Sequence, residues 1–296
     1  MKKILIILSI STIYTQVITD LSFKTSQSIA MAGAVVSDPG IAESVFYNPA
    51  NLSNIDNSQI LYGITDFYGL NFIDYTYLSY AFSTSFGNFG VGYQKLVTNA
   101  NSGSQANLSS ESSLSISQGF DLLRDNNSSL QLGYTINYMM LNQGKTAGVS
   151  GNGSDGMPST SINTLGIDVG IIGSLRNKVQ FGVYLKNINA PSLGRGSSYQ
   201  YLPRKMTIGI TYRPFSYLNT NVSFERLLGK KDIQFRFGFE YKLTHNFTLR
   251  SGIQMKPNRI GVGFKYMPFK NVDFSYGLLL HHIMPSTNNF ELGVSF

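Results

Sequence analysis

Apolar positions along the chain recur with a period of two in many short segments, the pattern of β-strands that present two unlike faces. From Asp232 to Lys242, Ile233, Phe235, Phe237, Phe239 and Tyr241 fall on one face, while Gln234, Arg236, Gly238, Glu240 and Lys242 fall on the other. The same division separates Met206, Ile208, Ile210 and Tyr212 from Thr207, Gly209, Thr211 and Arg213, and Ile260, Val262, Phe264 and Tyr266 from Arg259, Gly261, Gly263 and Lys265. One face suits lipid and the other suits water. A helix, with its period of about 3.6, would mix the two sets.

Fourteen strands are predicted, at 58–67, 71–83, 87–97, 112–122, 128–140, 162–174, 178–188, 204–214, 217–227, 232–243, 246–256, 258–267, 271–281 and 287–296. An even number returns both ends of the sheet to one side, as bacterial single-chain barrels require. The long connections, at 98–111, 141–161 and 189–203, each follow an odd-numbered strand, whereas even-numbered ones such as Ser85-Phe86 and Arg176-Asn177 are short. A membrane barrel sorts its connections in this way, with short periplasmic turns and longer external loops. A β-sandwich has no reason to do so. The expected fold is all-β: a transmembrane antiparallel β-barrel of about 14 strands, with an N-terminal segment plugging the lumen or packing against it.

Composition strengthens this reading. Charged residues make up 13% of the chain, about half the share in soluble domains, and aromatic residues are plentiful. The chain opens with Met1-Lys2-Lys3, an apolar run from Ile4 to Tyr14 and a polar turn at Thr15-Gln16, the layout of a secretory signal. That run is too short for a spanning helix, which needs about 20 residues. The expected division is a signal at 1–19, a plug-like segment at 20–57 and the barrel at 58–296. The absence of cysteine excludes disulfides and thiol chemistry.

The net charge of +7 does not point to nucleic acid, because the basic residues are scattered singly with no dense run to follow a phosphate backbone. By alternation Arg213, Glu225, Arg236, Glu240, Lys242, Arg250, Arg259 and Lys265 point into the lumen, where they are expected to pair. The adjacent His281 and His282 fall on opposite faces of a strand and so do not share a metal. A hydrolase site pairing His282 with Ser286 is the only catalytic arrangement to weigh, and an interfacial polar role is the simpler reading. No enzyme activity and no cofactor are expected. Tyr199, Tyr201 and Leu202 in the seventh connection are candidate ligand contacts at the rim. The last strand alternates Phe290, Leu292, Val294 and Phe296 and ends on an aromatic carboxylate, which resembles the terminal signal read by the barrel-assembly machinery; Phe296 is its key residue.

The segment before the first strand carries Ala30-Met31-Ala32-Gly33-Ala34, Ser37-Asp38-Pro39 and Tyr47-Asn48-Pro49-Ala50-Asn51-Leu52. These elements resemble the start of the PorV/PorQ proteins and of their relatives, the long-chain fatty-acid (FadL-type) outer-membrane transporters. Phe181 to Ile188, Leu202-Pro203, Ile208 to Tyr212, Gly238 to Tyr241 and Leu249 to Gly252 fit the same pattern. The family-motif residues are Met31, Gly33, Asp38, Asn48, Pro49 and Ala50. The PorV/PorQ likeness implies an accessory barrel in type IX secretion or surface attachment, with secreted proteins or secretion components as partners. The transporter likeness implies instead passage of hydrophobic small molecules across the cell outer membrane, with the N-terminal segment as a movable hatch and a lateral opening in the wall. The inward residues of the eighth to twelfth strands are mostly polar or glycine, which favours the secretion reading.

Overall fold

The computed structural model describes residues 23–99, 107–151, 154–194 and 200–296; the leader expected at 1–19 lies outside them. The strands are β1 (Gln59–Asp66), β2 (Ile73–Thr84), β3 (Gly87–Asn99), β4 (Asn107–Arg124), β5 (Ser128–Gln143), β6 (Thr160–Leu175), β7 (Val179–Lys186), β8 (Ser192–Leu193), β9 (Gln200–Tyr201), β10 (Lys205–Phe215), β11 (Leu218–Leu227), β12 (Ile233–Lys242), β13 (Phe247–Met255), β14 (Arg259–Phe269), β15 (Val272–His281) and β16 (Thr287–Ser295). Fourteen of them close into one antiparallel barrel, as the alternation predicts. The small pair β8 and β9 stands apart, within the connection after β7.

Closure joins the last strand to the first, from Gln59 opposite Ser295 to Asp66 opposite Asn288. With no open edge, each barrel strand pairs with a neighbour on both sides over at least part of its length, the condition for a sheet whose backbone faces lipid. β13 has nine residues, which at about 40° of tilt rises roughly 23 Å, close to the height of an outer-membrane apolar band. Outward positions are large and apolar, including Ile60, Tyr62 and Ile64 on β1 and Ile208, Ile210 and Tyr212 on β10. At the end with short turns, Phe296 stacks on Tyr80, Tyr80 on Phe82 and Phe82 on Phe89, with Phe215 on Tyr217 further round. Such rings favour a membrane–water interface.

Three strands run longer than their periodicity predicts. β4, β5 and β6 continue at the end with long connections through the pairs Ser110 with Asn142 and Asn142 with Ser161. Ladder hydrogen bonds do not depend on side-chain polarity, so pairing persists where alternation has ceased. β7 ends sooner than predicted, because Asn187 takes a left-handed φ of 56° that the ladder cannot accommodate.

Residues 23–58 lie inside the barrel. They form a helical turn at Ser26–Ala30, capped by Thr25, and 3-10 turns at Ala42–Phe46 and Pro49–Asn54. This plug crosses the lumen at mid-height, and the inward glycines make room for it. A methyl carbon added at Gly133 would stand 2.6 Å from the Pro49 carbonyl oxygen, one at Gly182 2.5 Å from Ser37 Cα, and one at Gly277 2.7 Å from the Ser26 carbonyl oxygen. Glycine within a strand often marks such a close backbone approach.

Gly133→Leu is therefore expected to unseat the plug while leaving the wall intact. Unboiled protein should still migrate differently from boiled protein in a denaturing gel, but its melting temperature should fall by the equivalent of about 1–3 kcal/mol and protease should cut between 23 and 58. Retention of full protection would refute this account of the glycines.

Candidate functional site

The plug is fastened mainly by polar contacts. Asn48 is fully buried, and its Nδ2 donates to the carbonyls of Val36 (2.9 Å), Ile171 (3.3 Å) and Val183 (3.4 Å), while its Oδ1 accepts from the Ala50 amide (3.3 Å). One carboxamide thus ties two parts of the plug to β6 and β7. Pro49 follows as the first residue of a 3-10 turn, where its missing N–H leaves no donor unmet, and Ala50 lies beside Gly133. Further round, Asp38 pairs with Arg213 (2.7 Å), and the Ser37 and Thr211 hydroxyls touch at 2.7 Å. Met31 packs its backbone on Gly252, and Gly33 holds a left-handed φ of 83° below Arg236.

At the opposite wall one carboxylate receives the plug, and a second lies on the plug itself. Glu291 accepts from the Ser26 hydroxyl (2.7 Å), the Ser26 amide (3.2 Å) and the Tyr77 hydroxyl (2.6 Å). Glu43, on the plug itself, accepts from the Thr25 hydroxyl at 2.6 Å. Burial, reinforced by the nearby Glu291, pushes the Glu43 carboxyl up to about 8.

The inward charges form pairs across neighbouring strands. Arg236 meets Glu225 with two hydrogen bonds, of 3.0 and 2.7 Å, and Lys205 reaches the same carboxylate at 3.5 Å. Arg250 pairs with Glu240 at 2.8 Å and Lys265 with Asp273 at 3.2 Å. Lys242, placed inward by alternation, is exposed at the end of β12, where the wall stops. Arg259 differs from the rest: among the described residues it meets no carboxylate, and its guanidinium lies over the Phe23 ring at 5.1 Å. The same alternation applied to β6, β15 and β16 would have placed Asp168, Asp273 and Glu291 inward. Glu43 carries no such signal, because the plug has no period.

On the side of the long connections the plug leaves only small voids. One of about 60 Å³ lies between Val45 and Phe46 of the plug and Tyr75, Leu96 and Met139 of the wall, with Asn137, Asp168, Lys24 and Lys186 at its polar side. A second, of about 40 Å³, lies behind Phe46, with Val35, Val36 and Tyr184. Either is well below the roughly 300 Å³ of a ligand pocket. On the side of the short turns a polar vestibule of about 540 Å³ opens, lined by Asp38, Asn51, Asn54, Arg124, Gln131 and Arg213. The plug therefore separates small voids of mixed polar and apolar lining from a polar vestibule. Apolar side chains gather on one side, where Leu61, Tyr75, Tyr77 and Leu96 of β1 to β3 join Phe46 and Leu52 in one buried cluster.

The wall itself has one irregular seam. β7 pairs with β6 only from Val169 to Leu175, so the upper half of β6 has no strand on that side. The chain after β7 fills the gap: Ile188 donates to Ile167 O (2.8 Å), and the Asn189 carboxamide accepts from Ile167 N (2.9 Å) and donates to Leu165 O (2.8 Å), standing in for a ladder. Below it, buried Asp168 accepts from Asn137 (2.8 Å), Tyr184 (2.7 Å) and the Asn187 amide (2.7 Å). Of the rim residues singled out from the sequence, Leu202 is buried with Met139 and Leu193, Tyr201 is exposed, and Tyr199 lies outside the described residues. His282 lies past the end of β15; it is His281 that bonds a hydroxyl, Thr287 Oγ1, at 3.0 Å.

No family model and no curated protein matches the chain. Solved structures do. The toluene transporter TbuX of Ralstonia pickettii superposes with a TM-score of 0.63 at 14% identity, over 94% of this chain and 99% of that one. The toluene transporter TodX of P. putida gives 0.62 at 13%, over 94% and 99%, and a FadL homologue of Pseudomonas aeruginosa gives 0.55 at 10%, over 92% and 98%. The chain shares their barrel fold.

The raised Glu43 carboxyl has a definite pH consequence. Its unfolded value is near the ordinary 4.5, so between that and about 8 the folded chain holds a proton that the unfolded chain releases, and stability falls as pH rises through this window. Melting followed from about pH 5 to pH 8 should show the decline, and Glu43→Gln should flatten it. A decline of equal slope in the variant would assign it to other groups.

Proposed function

We propose that this chain is an outer-membrane channel for hydrophobic small molecules, with residues 23–58 as its hatch. The observation that carries the reading is the closed lumen: a plug held by exchangeable polar contacts, with small voids edged by Phe46, Tyr75, Leu96 and Met139 on one side and a polar vestibule on the other. Proteins described as toluene transporters share the fold at low identity, which supports the reading without deciding the substrate. In this reading the short turns face the periplasm and the long connections face outward. A ligand arriving from outside meets Phe46, Tyr75, Leu96 and Met139 first. The leader at 1–19 directs export and is removed.

The secretion reading rests on the motifs and on the mostly polar inward faces of β10 to β14. Met31, Gly33, Asp38, Asn48, Pro49 and Ala50 all lie where the plug touches itself or the wall. A plugged barrel of either class needs those contacts, so the motifs do not separate the two.

Because the chain has no cysteine, the hatch can be locked cleanly. Ser37→Cys with Thr211→Cys, whose hydroxyls now touch, should form a disulfide between plug and wall. Uptake of labelled toluene by cells carrying this variant should be lost when oxidised and return on reduction; uptake indifferent to oxidation would sink the hatch. In parallel, deleting the gene should leave the set of secreted and surface-held proteins unchanged, and selective loss of many of them would restore the secretion reading.

A further inference from the structure

Away from the lumen cavities and the seam, a hollow of about 460 Å³ lies at the loop-side rim over β13, β14 and β15. Its lining comes from both faces of the wall. Gln254, Arg259 and His281 are register partners on three adjacent strands and form one inward row. Ile253, Ile260 and Leu280 are likewise partners and form the outward row one residue closer to the barrel's middle. All six line the hollow. The wall is low at this point, since β13 and β14 are joined only by residues 256–258, whereas β4, β5 and β6 rise well above.

The row carries a positive charge without a counter-ion. Arg259 is half-buried and meets no carboxylate among the described residues; its guanidinium lies over the Phe23 ring. That leaves its fork of N–H donors suited to an anion in the hollow. The outward row meanwhile offers a strip of branched aliphatic side chains on the lipid-facing side of the wall.

We infer that this notch binds a phosphorylated glycolipid of the outer leaflet, of lipid A type, with a phosphate on the Arg259 guanidinium and an acyl chain along Ile253, Ile260 and Leu280. A guanidinium fork matches phosphate oxygens in two parallel hydrogen bonds. The site rests on the chain's place in the outer membrane and is independent of what passes through the lumen.

The test uses the full barrel purified in detergent, with native mass spectrometry read against three probes: diphosphoryl lipid A, the same lipid with its phosphates removed, and inorganic phosphate alone. The expected result is retention of the diphosphoryl form, at least roughly tenfold weaker retention of the dephosphorylated form, and no competition by millimolar phosphate. Arg259→Gln should lose the preference for the phosphorylated lipid, and Lys242→Gln, at the far end of the barrel, should keep it. Heat-dependent gel migration of both variants shows that the barrel has formed, whichever way the lipid binds. Equal retention of the two lipids, a preference surviving in Arg259→Gln, or displacement by phosphate alone would each overturn the assignment.

Discussion

The close approach of the plug's backbone to the barrel wall is the contact on which the rest depends. A closed fourteen-stranded sheet satisfies its own hydrogen bonds but leaves a lumen wider than its inward side chains fill. Filling it with 36 residues of chain (23–58) demands that main chain meet main chain, and this is possible only where the wall has no Cβ. Gly133, Gly182, Gly252 and Gly277 supply such places on four strands, each facing a different stretch of the plug's backbone. The wall is therefore shaped to one path of the segment inside it.

Electrostatics follow from that seat. Once the lumen is filled, the inward charges lose most of their water, and an unpaired ion there would be expensive. Several are paired with a neighbour one strand away, Arg236 with Glu225, Arg250 with Glu240 and Lys265 with Asp273, so these pairs brace the wall rather than the plug. The plug draws on a separate set: Asp38 with Arg213, the Asn48 carboxamide, and the hydroxyls that reach Glu43 and Glu291. Dividing the two sets means that the plug's contacts can break without unpairing the wall.

Much of this was legible in the sequence because period-two alternation reports burial directly. The strand count, the parity of the connections and the inward direction of Arg236, Glu240 and Arg250 all follow from it. The strand ends were less legible. β4 to β6 continue on ladder bonds that leave no trace in side-chain polarity, and β7 stops at a backbone angle that Asn187 tolerates but does not announce. The plug was recognisable as different but not in its path, since it packs by backbone contact and single polar anchors. The apolar side chains beside the plug, from Val45 and Phe46 and from β2, β3 and β5, lie away from the strands whose inward faces were weighed.

The polarity of the two compartments constrains any route through the barrel. A hydrophobic molecule held near Phe46 and Leu96 would have to cross the hatch and then a vestibule bordered by Asp38, Asn54, Arg124 and Gln131 to leave by the short-turn end. That path returns apolar surface to water, at about 25 cal/mol for each Å² exposed. The seam between β6 and β10 offers a shorter path. There the wall is held by the Asn189 side chain and one backbone bond from Ile188 rather than by a strand. On its outer face Leu165, Ile167 and Ile188 are exposed, so a molecule passing sideways would go past the polar edge of the void at Asn137 and Asp168 to an apolar exterior. Breaking three hydrogen bonds at a net cost of about 1 kcal/mol each is comparable to re-exposing roughly 120 Å² of apolar surface, less than a buried aromatic molecule presents. In a channel for hydrophobic molecules, the sideways path is the one that the wall's own chemistry favours.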